Sequence, residues 1–182
     1  MKELSLHILD IAQNSIRADA SHIRISIREN SETNQMEIEI HDNGRGIAED
    51  ILPQVTDPYH TSRKTRKVGM GLPLLKHSAE QAGGILSIRS ERGKGTTVQC
   101  NFVLDHIDRP PLGDIAGVIT QLMTSFPDHV FIYEHNTDAG SFELDSREVK
   151  EMIGDLSQAG TELRKYLREM INENLTEIVI SG

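Results

Sequence analysis

Four short segments occur in a fixed order along this chain: Asp10-Ile11-Ala12-Gln13-Asn14, Asp42-Asn43-Gly44-Arg45-Gly46-Ile47, Gly69-Met70-Gly71-Leu72 and Gly93-Lys94-Gly95-Thr96-Thr97. Each alone is an ordinary turn or helix fragment. Together they demand a fold that brings a helix, a strand end and two glycine loops to one place.

The residues around them set the local structure. Placed at about 100° per residue, positions 4–18 separate into two faces. Leu4, Ile8, Leu9, Ile11, Ala12 and Ile16 cover a broad apolar side, and His7, Asp10, Asn14 and Arg17 form a narrow polar stripe. His22–Arg28 and Met36–His41 alternate strictly between apolar and polar residues, the period of half-buried strands, and suit a hairpin. Residues 49–55 suit a short helix, and the polar, basic stretch Asp57–Val68, interrupted by Pro58, suits a long mobile loop. A helix is expected over Leu72–Ala82, with Pro73 in its first turn and Gly83-Gly84 as its stop. Strands follow at 85–90 and 96–104.

Arg109-Pro110-Pro111 marks a boundary, which divides the chain into 1–105 and 106–182. Beyond it the patterns predict a helix near Leu112–Ser125 and strands at Val130–Tyr133 and Ser141–Leu144. Two helices then follow, one behind an Asp145/Glu148 capping pair and one after Gly160. Some 77 residues make a marginal core of their own, so this segment is expected to pack on the preceding sheet or to pair between copies.

The chemistry follows from residue type. The Asn14 amide offers a neutral oxygen to a hard cation such as magnesium, which accepts few protein ligands when phosphates supply the rest. An ionised Asp42 only accepts hydrogen bonds. It suits the exocyclic amine of adenine and mismatches the carbonyl of guanine, at a cost of about 1–3 kcal/mol. The ordinary alternative for Asp42-Asn43-Gly44 is an Asx turn. Gly44 and Gly46, lacking Cβ, allow a base or ribose to lie on their backbone. Gly69 and Gly71 lead into a helix N-terminus, where free N–H groups favour phosphate. The Thr96 hydroxyl can reach Asp42 or the base, and is equally placed to enter a strand. The set as a whole points to an ATP site.

Composition narrows the rest. The chain has 182 residues, 37% of them hydrophobic, with four Phe, three Tyr and no Trp, so aliphatic side chains must fill the interior. A formal net charge of -9 argues against nucleic acid and anionic membranes as partners. The single cysteine, Cys100, lies in an apolar run and reads as a buried strand thiol rather than a reactive one. No signal-peptide pattern or membrane-length apolar run appears, so a cytoplasmic location is expected.

Over roughly residues 3–104 the four segments, in this order, resemble the ATP-binding domain of the GHKL superfamily, which includes gyrase B-type enzymes, large heat-shock chaperones, histidine kinases and MutL. Asp10–Ala20 is similar to its N box, Asp42–Ile47 to its G1 box, Gly69–Leu72 to its G2 box, and Gly95–Thr97 to its strand-entry element. Asp57-Pro58-Tyr59-His60-Thr61-Ser62 resembles the F box of histidine kinases. The resemblance implies an α+β Bergerat fold, with helices on one face of a mostly antiparallel sheet, and Mg-ATP as ligand. It implies that Asn14 binds magnesium, Asp42 reads adenine, Arg17 replaces a phosphate-facing Lys, and Asp57–Val68 is the ATP lid. Asn14, Arg17, Asp42, Gly44, Gly46, Ile47, Gly69, Met70, Gly71, Leu72 and Thr96 then form the nucleotide site, with Asp10 as candidate base.

Two departures bear on function. Asp10 stands where catalytic members usually carry Glu, one methylene longer. Dimerisation helices with a phosphoacceptor His are expected to find no room in this chain. The resemblance therefore implies an ATP-binding regulatory protein that phosphorylates or switches a partner protein. The alternatives are a nucleotide-gated module without turnover and a separate catalytic subunit of a histidine kinase. A homodimer is a further arrangement the resemblance allows.

Overall fold

The computed structural model of the protein describes residues 3–57 and 71–178. The chain runs α1 (Leu4–Arg17), β1 (His22–Asn30), β2 (Gln35–Asp42), a 3-10 turn at Leu52–Gln54, α2 (Gly71–Gln81), β3 (Leu86–Glu91) and β4 (Gly95–Val103). It continues with α3 (Ile115–Ser125), β5 (Val130–Thr137), β6 (Gly140–Asp145), α4 (Ser146–Ile153), a 3-10 turn at Leu156–Gln158 and α5 (Thr161–Ile178). Where a short helix was expected over 49–55 there is only the 3-10 turn, with Pro53, which has no N–H to donate, inside it.

All six strands form one sheet in the order β3-β4-β2-β1-β5-β6. Four pairings are antiparallel, and β1 with β5 is parallel. The fold is α+β, with helices on one face. Strand alternation puts Ile88, Val98, Ile40, Ile25, Tyr133 and Leu144 in one cross-strand row beneath them. The opposite face is polar, and there Arg24 pairs with Glu134, and Arg28 with Glu37 at 2.6 Å.

The apolar side of α1 is buried on this sheet through Leu4, Ile8, Ile11 and Ala12. The polar stripe needs correcting at His7. It was expected to face outward and is only 1% exposed, because α2 packs against that flank of α1. The C-terminal segment is built onto the same sheet: β5 extends it beyond β1, α3 packs on α1, and α5 packs on α3. The connecting segment also secures the start of α1, because the Leu4 and Ser5 N–H groups donate to the carbonyls of Pro111 and Leu112 at 2.9 and 2.8 Å. These are N–H groups that a helix cannot satisfy itself.

Candidate functional site

The core-facing period of β2 does not stop at Ile38 and Ile40. Two residues further, at the strand end, it buries Asp42, which is 5% exposed. In the same register lie Thr96 of β4 and Ser90 of β3. A row that is apolar through the sheet thus ends in three polar side chains beside the C-terminal half of α1.

Asp42 is held on both carboxylate oxygens. Oδ2 accepts from Ser15 Oγ of α1 at 2.6 Å. Oδ1 accepts from the N–H of Gly44 at 2.9 Å and from that of Thr96 at 3.3 Å. The bond to Gly44 is the Asx turn that the sequence allows, so turn and site are one structure. A carboxylate offers about four acceptor positions; three are taken, and one remains for a ligand donor.

Ser15 and Ser90 escaped the sequence reading. Ser90 Oγ accepts the Ile47 N–H at 2.7 Å, lies 2.8 Å from Thr96 Oγ1, and donates to the Gly95 carbonyl at 3.0 Å. It joins the loop after β2 to the start of β4. The signal for Ser15 was its place, four residues beyond Ile11 on the buried side of α1; Ser90 had none apart from strand register.

The two loop glycines also have a packing role. A Cβ on Gly44 would lie 2.7 Å from the Ala18 carbonyl oxygen. One on Gly46, whose φ is +73°, would lie 2.1 Å from the Glu91 carbonyl oxygen. On their Cβ sides both glycines meet protein backbone, not open space for a base. Gly44 lets the loop close onto the end of α1, where Arg45 N–H donates to Ala18 O at 2.8 Å, and Gly46 lets it close onto the end of β3 at Glu91.

On α1, Arg17 Nη1 donates to Asn14 Oδ1 at 3.1 Å, so the amide oxygen and the cation already adjoin. One turn earlier lies Asp10. Its Oδ2 is buried with no hydrogen-bond partner among the described residues. Burial raises its pKa, and the Arg17 charge opposes the rise. The carboxylate presses on the first residue of α2: a Cβ on Gly71 would lie 1.7 Å from Asp10 Oδ2. Leu72 is half-buried against the core. Gly69, Met70 and most of the expected lid lie outside the described residues.

The structure thus gathers Asp10, Asn14, Arg17, Asp42, Gly44, Gly46, Ile47, Gly71 and Thr96 around α1 and the ends of β2 and β4. A strand-end carboxylate gripped from a flanking helix, on a mixed sheet covered on one face, defines the class as a Bergerat-type fold of the GHKL superfamily. Residues 2–106 match the family of histidine kinase-, DNA gyrase B- and HSP90-like ATPases, and the chain belongs to it.

Among its relatives, the sensor histidine kinase ZraS of Escherichia coli (strain K12) is 34% identical over 90 residues, which is 50% of this chain and 19% of that protein. Sensor kinase CckA of Brucella abortus (strain 2308) is 34% identical over 86 residues, 47% of this chain and 9% of that one. This chain therefore spans a small part of the length of the relatives it matches. Among solved structures, the Aquifex aeolicus MutL ATPase domain complexed with ADP superposes with a TM-score of 0.51 at 12% identity, covering 87% of this chain and 70% of that one. The N-terminal domain of a DNA repair protein gives 0.55 at 18% identity, covering 80% of this chain and 52% of that one. Both are likenesses of fold. No helix among the described residues is long and apolar enough to cross a membrane.

Proposed function

We propose that this chain binds Mg-ATP and uses it on a partner protein, by phosphoryl transfer or by switching that partner on ATP binding. The observation that carries this reading is Asp42: a buried carboxylate, fixed by Ser15, Gly44 and Thr96, with acceptor capacity left for the adenine amine. The family match and the sensor-kinase relatives support it.

The donor set also suits magnesium. Asn14 presents a hard amide oxygen on α1, and a cation bound mainly by phosphate oxygens needs few protein ligands. When bound, magnesium neutralises phosphate charge. Arg17 now donates to the Asn14 oxygen. With a phosphate bound, Arg17 would serve as its counter-charge, and the Asn14 oxygen would be the group to hold the cation. Asp10, whose pKa burial raises while the Arg17 charge opposes the rise, is the candidate base. It takes the proton of the attacking hydroxyl while the new oxygen–phosphorus bond forms. The bond from the γ-phosphorus to its bridging oxygen breaks, and ADP leaves with the electron pair.

A second reading, a nucleotide-gated module without turnover, draws on the short Asp10 side chain pressed against Gly71. A third reading, a separate catalytic subunit of a histidine kinase, draws on the likeness to the sensor-kinase relatives. The acidic charge favours a protein partner over nucleic acid or an anionic membrane; the cytoplasm is the proposed location, and a homodimer is a further arrangement.

Calorimetry with Asp42→Asn tests the core of the proposal. Exchanging an acceptor-only group for a mixed one should weaken Mg-ATP binding by at least about threefold. Unchanged affinity would remove Asp42 from the site. Asp10→Asn separates the readings: loss of phosphate transfer with ATP binding intact supports the base. Wild-type protein that binds ATP and its partner yet transfers nothing supports the module.

A further inference from the structure

Three polar atoms without partners among the described residues lie where α1 meets α2. Both ring nitrogens of His7 and Oδ2 of Asp10 are buried without a hydrogen-bond partner among the described residues. The two residues are three apart on one helix, which places them on the same flank. They also meet α2 at one residue. Asp10 Oδ2 abuts Gly71, and the Gly71 backbone is the polar group beside the His7 ring. Each buried polar atom without a partner costs about 1–3 kcal/mol. A leucine at position 7 would avoid that cost, so a histidine at this place calls for a hydrogen-bond partner.

We propose that His7 and Asp10 hold one water between them at Gly71, making His7 a positioning residue that orients the Asp10 carboxylate. A neutral imidazole has one donor nitrogen and one acceptor nitrogen. Burial keeps His7 neutral, its pKa lowered to about 4. The water accepts from the imidazole N–H and donates to Asp10 Oδ2, which fixes the carboxylate's direction. The inference deepens the reading of Asp10 as base, and its catalytic meaning rests on that reading.

Few charges compete here. Arg17, on the same helix, acts on Asp10 directly. On α2, Lys76 lines a separate cleft with Leu52, Pro53, Thr56, Leu86 and Ile88, while His77 and Glu80 are exposed. α3, which also packs on α1, carries no ionisable side chain. The ionisable group of the sheet that faces α1, Asp42, is engaged by Ser15.

The test compares His7→Phe, which keeps a ring without donors, with His7→Gln, which keeps an N–H donor, both in the full chain. The Asp10 carboxyl is followed by 13C NMR against pH, and Mg-ATP binding by calorimetry. In His7→Phe the Asp10 midpoint should move to higher pH, because the ionised carboxylate loses its relayed donor. In His7→Gln it should stay near the wild-type value. A midpoint unmoved by Phe, or moved equally by both variants, overturns the proposal. If His7→Phe does not fold, the wild type decides. The 15N signals of the His7 ring should shift through the Asp10 midpoint, and a ring that ignores it overturns the proposal. The calorimetry judges the nucleotide reading separately, since a chain that fails to bind ATP still yields both midpoints.

Discussion

In the C-terminal half of the sheet, a fully buried histidine bonds on both sides. His135 Nδ1 lies 2.8 Å from the Tyr133 hydroxyl, and Nε2 lies 2.7 Å from Glu29 Oε2. In the N-terminal half, His7 is about as deeply buried and bonds on neither side among the described residues. The same contrast runs through their neighbours. Thr120 and Thr124 donate back to carbonyls of α3, and Ser146 Oγ accepts from Phe131 N–H. Asp10 Oδ2 is left over. Of the four buried side-chain atoms without partners among the described residues, three belong to α1, and the fourth is Nδ1 of His129. Buried polar groups that close on each other make scaffold. The groups left open on α1 adjoin Gly71, beside the site proposed for the nucleotide.

On this view the C-terminal half holds α1 in place for the site. Removing residues 106–182 should therefore have the largest effect. It uncovers the β1 edge, strips the Phe131 and Tyr133 neighbours from Ile23 and Ile25, and frees the start of α1. Light scattering should find aggregates, with no ATP binding left. A monomeric truncated chain with normal affinity would break the comparison.

Single substitutions sharpen it. Gly46→Ala forces a Cβ into the Glu91 carbonyl at positive φ and should destabilise by about 1–3 kcal/mol in urea melts. ATP binding should fall with it, because the loop bearing Ile47 moves. Glu29→Leu leaves His135 Nε2 without its partner and should also cost about 1–3 kcal/mol, yet leave ATP affinity unchanged. Equal effects of the two on ATP binding would erase the distinction between site and scaffold.

The smallest effect is on pH dependence. The folded-state pKa of His7 is lowered from 6.5 to about 4 by burial, so between those values the unfolded chain takes up a proton that the folded one refuses. His7 therefore subtracts stability progressively as pH falls from 6.5 to 4. Asp10 works in the opposite sense. Its raised pKa lets the folded state bind a proton first as pH falls. Thermal unfolding of wild type and His7→Phe across this window isolates the His7 part. The variant should lose less stability on acidification, and parallel curves would contradict the burial.

Much of this could be read from residue order alone. Period 3.6 found α1, and period 2 found β1 and β2, because each buries a single face. The structure continues the strand period to Asp42, two beyond Ile40, and turns it inward. The parallel pairing of His22–Arg28 with Val130–Asn136 was beyond such reading, since nothing local in either strand names so distant a partner. His7 was misplaced for a related reason: a helical wheel separates apolar from polar but cannot know that α2 will cover the polar flank. Ser90 enters the site only through the register that sets it beside Thr96.

The central claim is that Asp42, buried and already holding Ser15, Gly44 and Thr96, keeps its remaining acceptor capacity for an adenine amine. The direct measurement is calorimetric titration of the full chain with Mg-ATP and with Mg-GTP under the same conditions. The account predicts ATP binding at least about fivefold tighter, from the unpaired acceptors that guanine would bury. Equal affinities, or tighter GTP binding, would contradict it.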